Sequence, residues 1–459
     1  MATLNINNKN FILGESQTDA ISDRGFSPDS VNLNLTKERG KLYFAEAPTN
    51  RGGATLTGNI IATANDSNYL GNDKYFVDDE GAFYTLSGST FTKQQTSAST
   101  FVLGTSDIIQ FKLVTYATST DSLHEFTGSD LDTSQRLWGG AFDATFRHPM
   151  EVVEKELFIG DKNLIHFFDG TTSGTAFTLP TNVNVTSLRK HPDGKTLLAF
   201  TGTTGDLNGA RTRSGVGKVY YCQPTLRGAA IEGWTREVEI ESQVEGTRVV
   251  GGTVYTTWGK NFGVFDGNGL VKLKELETSI VTYSHNISNM DDILTIRDGL
   301  NVKAFGDLGA GRVWWNMYQN TTNSNEINNI SYKGDNKLLV AFKGASAGTG
   351  LLQEIDYDNA GVNGAFYTNR IDVGSEIHTN RIDVVHDESG PAGTTTFILQ
   401  HRDTEDNEKL VETRTYINKT ARKSRFKTDV KDDISQFKIT PSQDNIGYRS
   451  IRIQYEPLR

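Results

Sequence analysis

The chain has 459 residues and is rich in glycine, with 45, and poor in proline, with 9. This balance is typical of many short strands joined by tight turns. The single cysteine, Cys222, excludes an internal disulfide framework and indicates synthesis in a reducing compartment. No stretch approaches the about 18 apolar residues of a membrane-spanning helix, and the first residues lack a secretory signal, so we expect no membrane association.

The formal net charge of −10 is unevenly distributed. Residues 365–459 contain 15 of the 46 Lys and Arg residues and 15 of the 56 Asp and Glu residues, which leaves 31 and 41 in residues 1–364. An acidic body disfavours a nucleic-acid clamp, which would present a basic face to the phosphates. An acidic surface can also line a passage through which DNA slides without sticking, and net charge alone does not separate these cases.

The N-terminal residues 1–30 are polar and weakly patterned. They predict either a flexible tail or an extended arm that orders on a partner subunit, because such segments fold on contact. Residues 31–65 contain short strand-like runs. These runs could close a ring of sheets by pairing an early strand with the last repeat.

A repeating unit of about 40 residues follows. Each copy has an apolar or β-branched run, a polar turn, and a second run that ends near an aromatic residue and Gly or Asp. The copies begin near residues 74, 114, 156, 196, 253, 292 and 338. This length matches a four-stranded propeller blade, whereas a solenoid would need tighter repeats and polar caps. We therefore predict an all-β protein with a β-propeller of about seven blades over residues 31–364.

Residues 365–459 break this repeat. They contain seven short strand candidates, at 365–373, 376–388, 394–403, 409–418, 424–430, 433–442 and 448–458. In the last of them Ile451, Ile453 and Tyr455 alternate with Arg452 and Gln454, which is the period-two pattern of a half-buried strand. Seven short strands in this length predict a C-terminal β-sandwich-like domain.

The sequence shows none of the common nucleotide-binding, zinc-protease, CxxC or nucleophile-elbow motifs. We therefore expect no catalytic residues, no metal site and no cofactor. Five aspartates in Asp-Gly or Asp-x-Gly pairs indicate capped turns rather than catalysis: Asp79, Asp169, Asp193, Asp266 and Asp298. Three tryptophans predict blade cores, although exposed they could stack on sugars: Trp258, Trp314 and Trp315.

Two basic segments are the candidate contact sites with DNA or an acidic neighbour. The first lies in the insertion at 203–218 and contains Arg211, Arg213 and Lys218. The second is the run 421–427, with Arg422, Lys423, Arg425 and Lys427. A solvated loop for the first, and a strand edge kept soluble by its charge for the second, are the alternative interpretations.

The segment at 25–44 resembles the opening of bacteriophage virion β-propeller proteins. The matching residues are Gly25, Phe26, Ser30, Asn32, Leu33, Gly40 and Leu42. The Phe-Asp-Gly ends at 168–170 and 265–267 and the C-terminal strand layout are similar too. In size and order, the chain resembles the tail-hub or nozzle proteins of short-tailed phages.

This resemblance implies a structural protein of the virion tail or neck, assembled in the host cytoplasm. It implies a homo-oligomeric ring, usually of six copies, below a portal–adaptor assembly, through which double-stranded DNA passes without sequence-specific binding. It brings no catalytic residues. The alternatives are a receptor- or glycan-binding propeller of the tail and a carbohydrate-active propeller enzyme that uses paired acids such as Asp79 or Asp291.

Overall fold

The computed structural model describes an all-β chain between residues 2 and 458. The description omits residues 8–10, 12–29, 31, 38–40, 52–55, 65–73, 97–100, 103–105, 127–130, 137–141, 203–215, 228–232, 278–286, 309–310, 321–325, 345–350, 359–363, 369, 387–393, 404, 406, 418–422 and 442–447. A short 3-10 helix occupies Pro224–Leu226. No helix in the described part has the length and apolar character to cross a bilayer.

Four short strands precede the repeats: β1 (Ala2–Asn7), β2 (Leu33–Asn34), β3 (Tyr43–Phe44) and β4 (Thr49–Asn50). Seven antiparallel four-stranded sheets follow among the described residues. Sheet 1 contains β5 (Ile60–Thr63), β6 (Lys74–Asp78), β7 (Ala82–Ser87) and β8 (Thr90–Thr96). Sheet 2 contains β9 (Ile108–Phe111), β10 (Val114–Thr118), β11 (Leu123–Phe126) and β12 (Leu131–Arg136). Sheet 3 contains β13 (Met150–Val153), β14 (Glu156–Asp161), β15 (Leu164–Phe168) and β16 (Ser173–Thr178).

Sheets 4 to 6 continue the same up-and-down order. Sheet 4 contains β17 (Asn184–Lys190), β18 (Leu197–Gly202), β19 (Gly217–Cys222) and β20 (Trp234–Ile240). Sheet 5 contains β21 (Gly246–Val250), β22 (Thr253–Trp258), β23 (Asn261–Phe265) and β24 (Leu270–Glu275). Sheet 6 contains β25 (Ile287–Met290), β26 (Ile293–Asp298), β27 (Asn301–Asp307) and β28 (Arg312–Gln319). Sheet 7 contains β29 (Ile327–Gly334), β30 (Lys337–Phe342) and β31 (Leu351–Asp356), and takes β4 as its fourth strand. The seven repeats found in the sequence are the central hairpins of these seven sheets.

The sheets form a closed ring, which makes the fold a β-propeller. The first strand of each sheet packs against the first strand of the next sheet, and β29 of sheet 7 returns to β5 of sheet 1. The predicted pairing of an early strand with the last repeat is confirmed, because Thr49 and Asn50 pair with Glu354 and Gln353. The Arg51 guanidinium fixes this closure with an ion pair of 2.9 Å to Glu354.

Apolar side chains fill the space between neighbouring sheets. Between sheets 5 and 6, for example, the ring of Phe305 packs on those of Tyr255, Phe262 and Trp314 with centroid separations of 5.9, 5.5 and 4.7 Å, partly edge to face. Burying one such ring stabilises the fold by about 1.5–3 kcal/mol. A single sheet leaves both faces apolar, so the sheets hold each other in place only as a ring.

Aspartates cap the turns as predicted in three of the five cases. In the turn after β17, the Asp193 carboxylate accepts the backbone N–H groups of Lys195 and Thr196 at 2.8 Å, and Gly194 takes a φ of 75°. Asp169 and Asp266 cap their turns in the same way. This is the side-chain-to-backbone bonding that makes Asp-Gly a turn signal.

The turn-cap prediction is wrong for Asp79, which accepts the backbone N–H of Asn59 at 2.7 Å. Asp298 accepts the backbone N–H of Glu277, also at 2.7 Å. Both carboxylates therefore hold the segment that enters their own sheet. In sheet 1 the turn is capped by Asp78, which is fully buried and accepts the N–H groups of Glu80 and Ala82.

The C-terminal part forms one continuous sheet with strand order β1-β37-β33-β36-β34-β35, and β32 pairs with β36. Its strands are β32 (Phe366–Tyr367), β33 (Ile371–His386), β34 (Thr394–Arg402), β35 (Glu408–Ile417), β36 (Lys423–Pro441) and β37 (Tyr448–Pro457). The first part of β36 pairs with β33 and its last part with β34. The prediction of seven short strands is wrong where β33 and β36 each run through two predicted segments, because bulges let a strand bend without ending.

The first residues do not extend from the molecule as an arm, which corrects that prediction for residues 2–7. They form β1, which pairs antiparallel with β37 of the same chain. Leu4 and Ile6 are buried in the core while Thr3 and Asn5 between them are exposed, so β1 has the alternation of an edge strand. Residues 12–29 of the predicted arm lie outside the described part.

The described residues of the segment 30–45 contact both this sheet and the propeller. Leu42 forms a bridge with Tyr448 of β37, and the ring of Phe44 packs edge-on against Tyr448 at 5.5 Å. On the propeller side, the Asn34 side chain donates to the carbonyl of Tyr357 at 2.8 Å. One apolar cluster therefore continues from sheets 6 and 7 into the C-terminal sheet.

Candidate functional site

A buried ion pair links the segments that enter sheets 3 and 5. Arg147 lies three residues before Met150, the first residue of sheet 3, and Glu245 immediately precedes sheet 5. Their side chains meet at 2.5 Å with exposures of 6% and 3%. We call this end of the propeller, where the first strands begin, the base. The opposite end, where the first strands finish, is the mouth.

A polar network continues along the axis from the base towards the mouth. Arg189 of β17 pairs with Glu151 of β13 at 2.7 Å and donates to the Thr247 hydroxyl of β21 at 3.1 Å. On the other side of the ring, Thr63 and Asn329 of the two ring-closing sheets bond at 2.9 Å. These contacts join non-adjacent parts of the sequence, so side chains as well as backbone fix the positions of the first strands.

The mouth opens into an axial cavity of about 620 Å³. This volume lies within the about 300–1,000 Å³ that ligand pockets occupy. Cationic side chains are frequent among its walls, together with apolar side chains of the first strands: Lys112, Lys155, Arg189, Lys190, Arg248, Ile109, Phe111, Val152 and Val249. The cavity is lined by the first strands of sheets 1 to 6 and is open at the mouth.

The first predicted basic site is not brought together by the described residues. Arg211 and Arg213 lie outside the described part. Lys218 lies on β19, where its ammonium pairs with Glu237 at 2.9 Å on a surface open to solvent. Such an exposed pair contributes less than about 1 kcal/mol, so Lys218 alone does not define a contact site.

The second basic site is organised by the C-terminal sheet. Arg425 and Lys427 project from the exposed side of β36, and strand pairing places them opposite Asp383 and Arg381 of β33. Lys423 begins β36, but its side chain lies outside the described part, as does Arg422. Of the four predicted residues, the structure therefore brings Arg425 and Lys427 together.

A buried carboxylate lies at the centre of this surface. Asp383 accepts two hydrogen bonds from Arg381, at 3.0 and 2.6 Å, and one from Arg425 at 3.2 Å. Arg452 of β37 lies opposite Asp383 on its other side and is exposed. We call Arg381, Asp383, Arg425, Lys427 and Arg452 the C-terminal charged face. With four cations around one anion, it is a net positive surface on an acidic protein.

The sequence reading missed the axial residues and Arg381. Arg147 and Glu245 are 98 positions apart, and no local pattern connects them. Arg381 follows a bulge at Thr379 that shifts the strand register, so simple alternation did not place it beside Lys427. Arg452 was recognisable, because it alternates with the apolar Ile451 and Ile453.

The residues behind the two alternative functions lie apart from these surfaces. Trp258 and Trp315 are buried, and the partly buried Trp314 packs on Phe262 and Phe305, so these rings are core residues as expected. Asp79 and Asp291 lie on different sheets, where Asp79 holds Asn59 and Asp291 accepts the Tyr332 hydroxyl at 3.2 Å.

Metal and thiol chemistry find no support in the described part of the chain. No group of three or more His, Cys, Asp or Glu side chains is placed there to hold a metal ion. His378, in the middle of β33, pairs with Asp429 at 2.8 Å, and His386 is the last residue of that strand. Burial raises the pKa of the Cys222 thiol well above its ordinary range, which disfavours the reactive thiolate at neutral pH.

Comparison with known proteins identifies no family. No family model matches the sequence, and no curated protein matches it. Among solved structures, the chain is similar to the Pan2 WD40 domain of Neurospora crassa, with 8% identity, a TM-score of 0.42, and coverage of 65% of this chain and 89% of that one. It is also similar to the computationally designed Ika8 protein, with 14% identity, a TM-score of 0.40, and coverage of 67% and 98%. These likenesses are too low to support a function, and the propeller assignment stands on the strand pairing above.

Proposed function

We propose that this chain is a structural protein of a bacteriophage tail or neck, which assembles as a ring of copies around the path of the genome. In this proposal sheets 1 to 7 are the seven blades of the propeller, and the bent C-terminal sheet packs its two halves as a small sandwich. The ring has about six copies and sits below a portal–adaptor assembly, as the resemblance at residues 25–44 implies.

The observation that carries the proposal is the exposed charged face of the C-terminal sheet on an otherwise acidic protein. In this proposal the passage for DNA lies between copies rather than along the axis of one propeller. The C-terminal charged face lies outside the propeller, where it is available to a neighbour.

The chemistry of that neighbour follows from the charge distribution. Residues 1–364 contain 41 acidic and 31 basic residues, whereas the C-terminal part is neutral and its charged face is positive. Contact between the charged face of one copy and the acidic propeller of the next is head to tail, and head-to-tail contacts generate rings when the rotation closes. The same arrangement directs acidic propeller surface towards passing DNA, which then slides without sticking.

The proposal is tested by measuring the assembly state of the purified chain. Light scattering after size-exclusion chromatography and negative-stain images should show a ring at micromolar concentration. The double variant Arg425→Glu/Lys427→Glu should shift the protein to monomers, because it places like charges at the contact. The matched control Lys195→Glu/Lys260→Glu changes two exposed propeller turns and should assemble normally.

Two results would contradict the proposal. One is a wild-type protein that stays monomeric at every concentration and is missing from phage particles by mass spectrometry. The other is a ring that forms equally well with the charged-face variant and with the control. In that case the charged face is not the contact between copies.

A further inference from the structure

The mouth of the axial cavity is positively charged although the protein is acidic. Five cations line the cavity, against the three acids Asp107, Glu151 and Glu154. The cations are Lys112, Lys155, Arg189, Lys190 and Arg248. Walls of low dielectric focus the field in a cleft, so a local excess of cations attracts anions even when the net charge of the protein is −10.

Two of the three acids of the cavity already have partners within the protein, whereas Glu154 is exposed beside Lys155 in the turn after β13. Glu151 forms the 2.7 Å ion pair with Arg189. Asp107 accepts the backbone N–H groups of Met150 and Ile108, both at 2.9 Å. These carboxylates are part of the framework and do not neutralise the lysines at the mouth.

The lysines at the mouth keep their charge available. Lys112 donates to the backbone carbonyl of Asp169, which orients the ammonium without cancelling its charge. Lys155 lies in the turn after β13 and is exposed, and Lys190 ends β17 and is half-buried. Within the described residues neither Lys155 nor Lys190 forms an ion pair, so a bound anion would meet both directly.

Neutral polar side chains line the same cavity. Gln110 and Asn289 are half-buried on the first strands of sheets 2 and 6, and the Ser187 hydroxyl lies on sheet 4. Amide side chains provide both donors and acceptors, which is what the backbone of a peptide requires. The apolar walls Phe111, Val152 and Val249 lie between them.

We propose that the axial cavity binds a carboxylate-bearing ligand, specifically an acidic peptide segment that enters from the mouth. Its carboxylates pair with Lys155, Lys190 and Arg248, and its backbone bonds to the amides of Gln110 and Asn289. A free polycarboxylate is the other source of the same chemistry. This site does not depend on ring assembly.

The experiment measures binding of defined probes to the full-length protein by fluorescence anisotropy and calorimetry. The probes are an octaglutamate peptide, a Gly-Ser peptide of the same length, citrate, and an eight-nucleotide single-stranded DNA. Octaglutamate should bind, the Gly-Ser peptide should not, and affinity should fall as salt rises. The double variant Lys155→Gln/Lys190→Gln should weaken octaglutamate binding about tenfold, which corresponds to losing two partly screened charge pairs.

The variant Lys195→Gln is the matched control. It removes an exposed lysine in the turn after β17 that does not line the cavity, so it should bind like the wild type. Binding of citrate with the same sensitivity to the double variant, and no binding of octaglutamate, supports a free carboxylate as the ligand. Equal effects of the double variant and the control overturn the proposal, as does tighter binding of the DNA than of octaglutamate, or binding of none of the probes.

Discussion

The propeller and the C-terminal sheet are both built from antiparallel strands, but they solve the problem of strand edges differently. The propeller closes on itself, since β29 returns to β5 and the early strand β4 completes sheet 7. The C-terminal sheet stays open, with β1 and β35 at its two ends. Leu410 on β35 is 65% exposed, so this edge presents apolar surface as well as unpaired backbone.

Because of this difference, the part of the molecule suited to be rigid and the part suited to contact a partner are not the same. In a closed ring each sheet is held by two neighbours, and charged residues can be buried between sheets because the frame around them is fixed. In an open sheet the charged residues remain on an accessible face, and the free edges offer backbone groups to another chain. The propeller is therefore suited to be the rigid body, and the C-terminal sheet to be the part that meets a partner.

The largest expected effect comes from breaking the buried pair at the base. Arg147→Ala leaves Glu245 as an uncompensated charge that is 3% exposed, so we expect the free energy of unfolding to fall by about 3–5 kcal/mol. Urea unfolding followed by tryptophan fluorescence measures this directly. All five tryptophans lie between residues 138 and 315, so the signal reports on the propeller alone.

The exposed pair on sheet 4 is the control for this prediction. Lys218→Ala removes the partner of Glu237 in solvent and should cost less than about 1 kcal/mol. Replacing both base residues, as Arg147→Met/Glu245→Leu, should recover much of the lost stability because no charge is left unpaired. Equal losses for Arg147→Ala and Lys218→Ala would show that the base is open to water.

The second prediction concerns the C-terminal sheet rather than the propeller. Ile6 of β1 is 2% exposed in the core of the C-terminal sheet, and Ile6→Ala should destabilise that sheet by about 2–4 kcal/mol. Hydrogen exchange should speed up at the amides of β37 while the tryptophan signal of the propeller changes little. Asn5→Ala, on the exposed side of the same strand, should leave both unchanged. Unaltered exchange in β37 after Ile6→Ala would mean that β1 is not held there.

The same contrast explains what the sequence could predict. The propeller repeats are local, because five of the seven hairpins have their apolar runs and their turn within one short segment and the other two only lengthen the turn, and all seven hairpins are found where expected. The C-terminal sheet depends on pairs that are remote in sequence, such as Leu4 with Ile453. No local pattern encodes such a pairing, so residues 2–7 were interpreted as part of an arm.

The two candidate sites also differ in how well the sequence predicts them. Arg425 and Lys427 were found because they are consecutive outward positions of one basic run. The cavity residues Lys155, Lys190 and Arg248 each come from the first strand of a different sheet, or from the turn that follows it, and only closure of the ring brings them together. A cluster of charges within one strand can be recognised in the sequence. A cluster that spans the ring can be recognised only when the radius of the ring and the register of its strands are known.

The smallest expected effect tests whether the propeller turns are stabilised as local units. Partial burial alone would raise the pKa of Asp193, but hydrogen bonds from Thr196 and from the backbone of Lys195 outweigh it and lower the pKa to about 2. The folded pKa is therefore below the ordinary value of 3.8. This stabilisation is fully present above about pH 4 and is lost as the pH falls through about 2.

Asp193→Asn should therefore cost about 1 kcal/mol at pH 7, and the difference from the wild type should shrink towards pH 2. Urea unfolding of both proteins between pH 7 and pH 2 measures the difference. Asp169 caps the corresponding turn of sheet 3 through Thr171 and Thr172, and these hydrogen bonds likewise lower the pKa of its carboxyl. Asp169→Asn should show the same pH trend, because the two turns share one geometry. A loss that stays constant from pH 7 to pH 2 in both variants would show that the carboxylate charge contributes nothing, and that the turns are held by the ring rather than by their own caps.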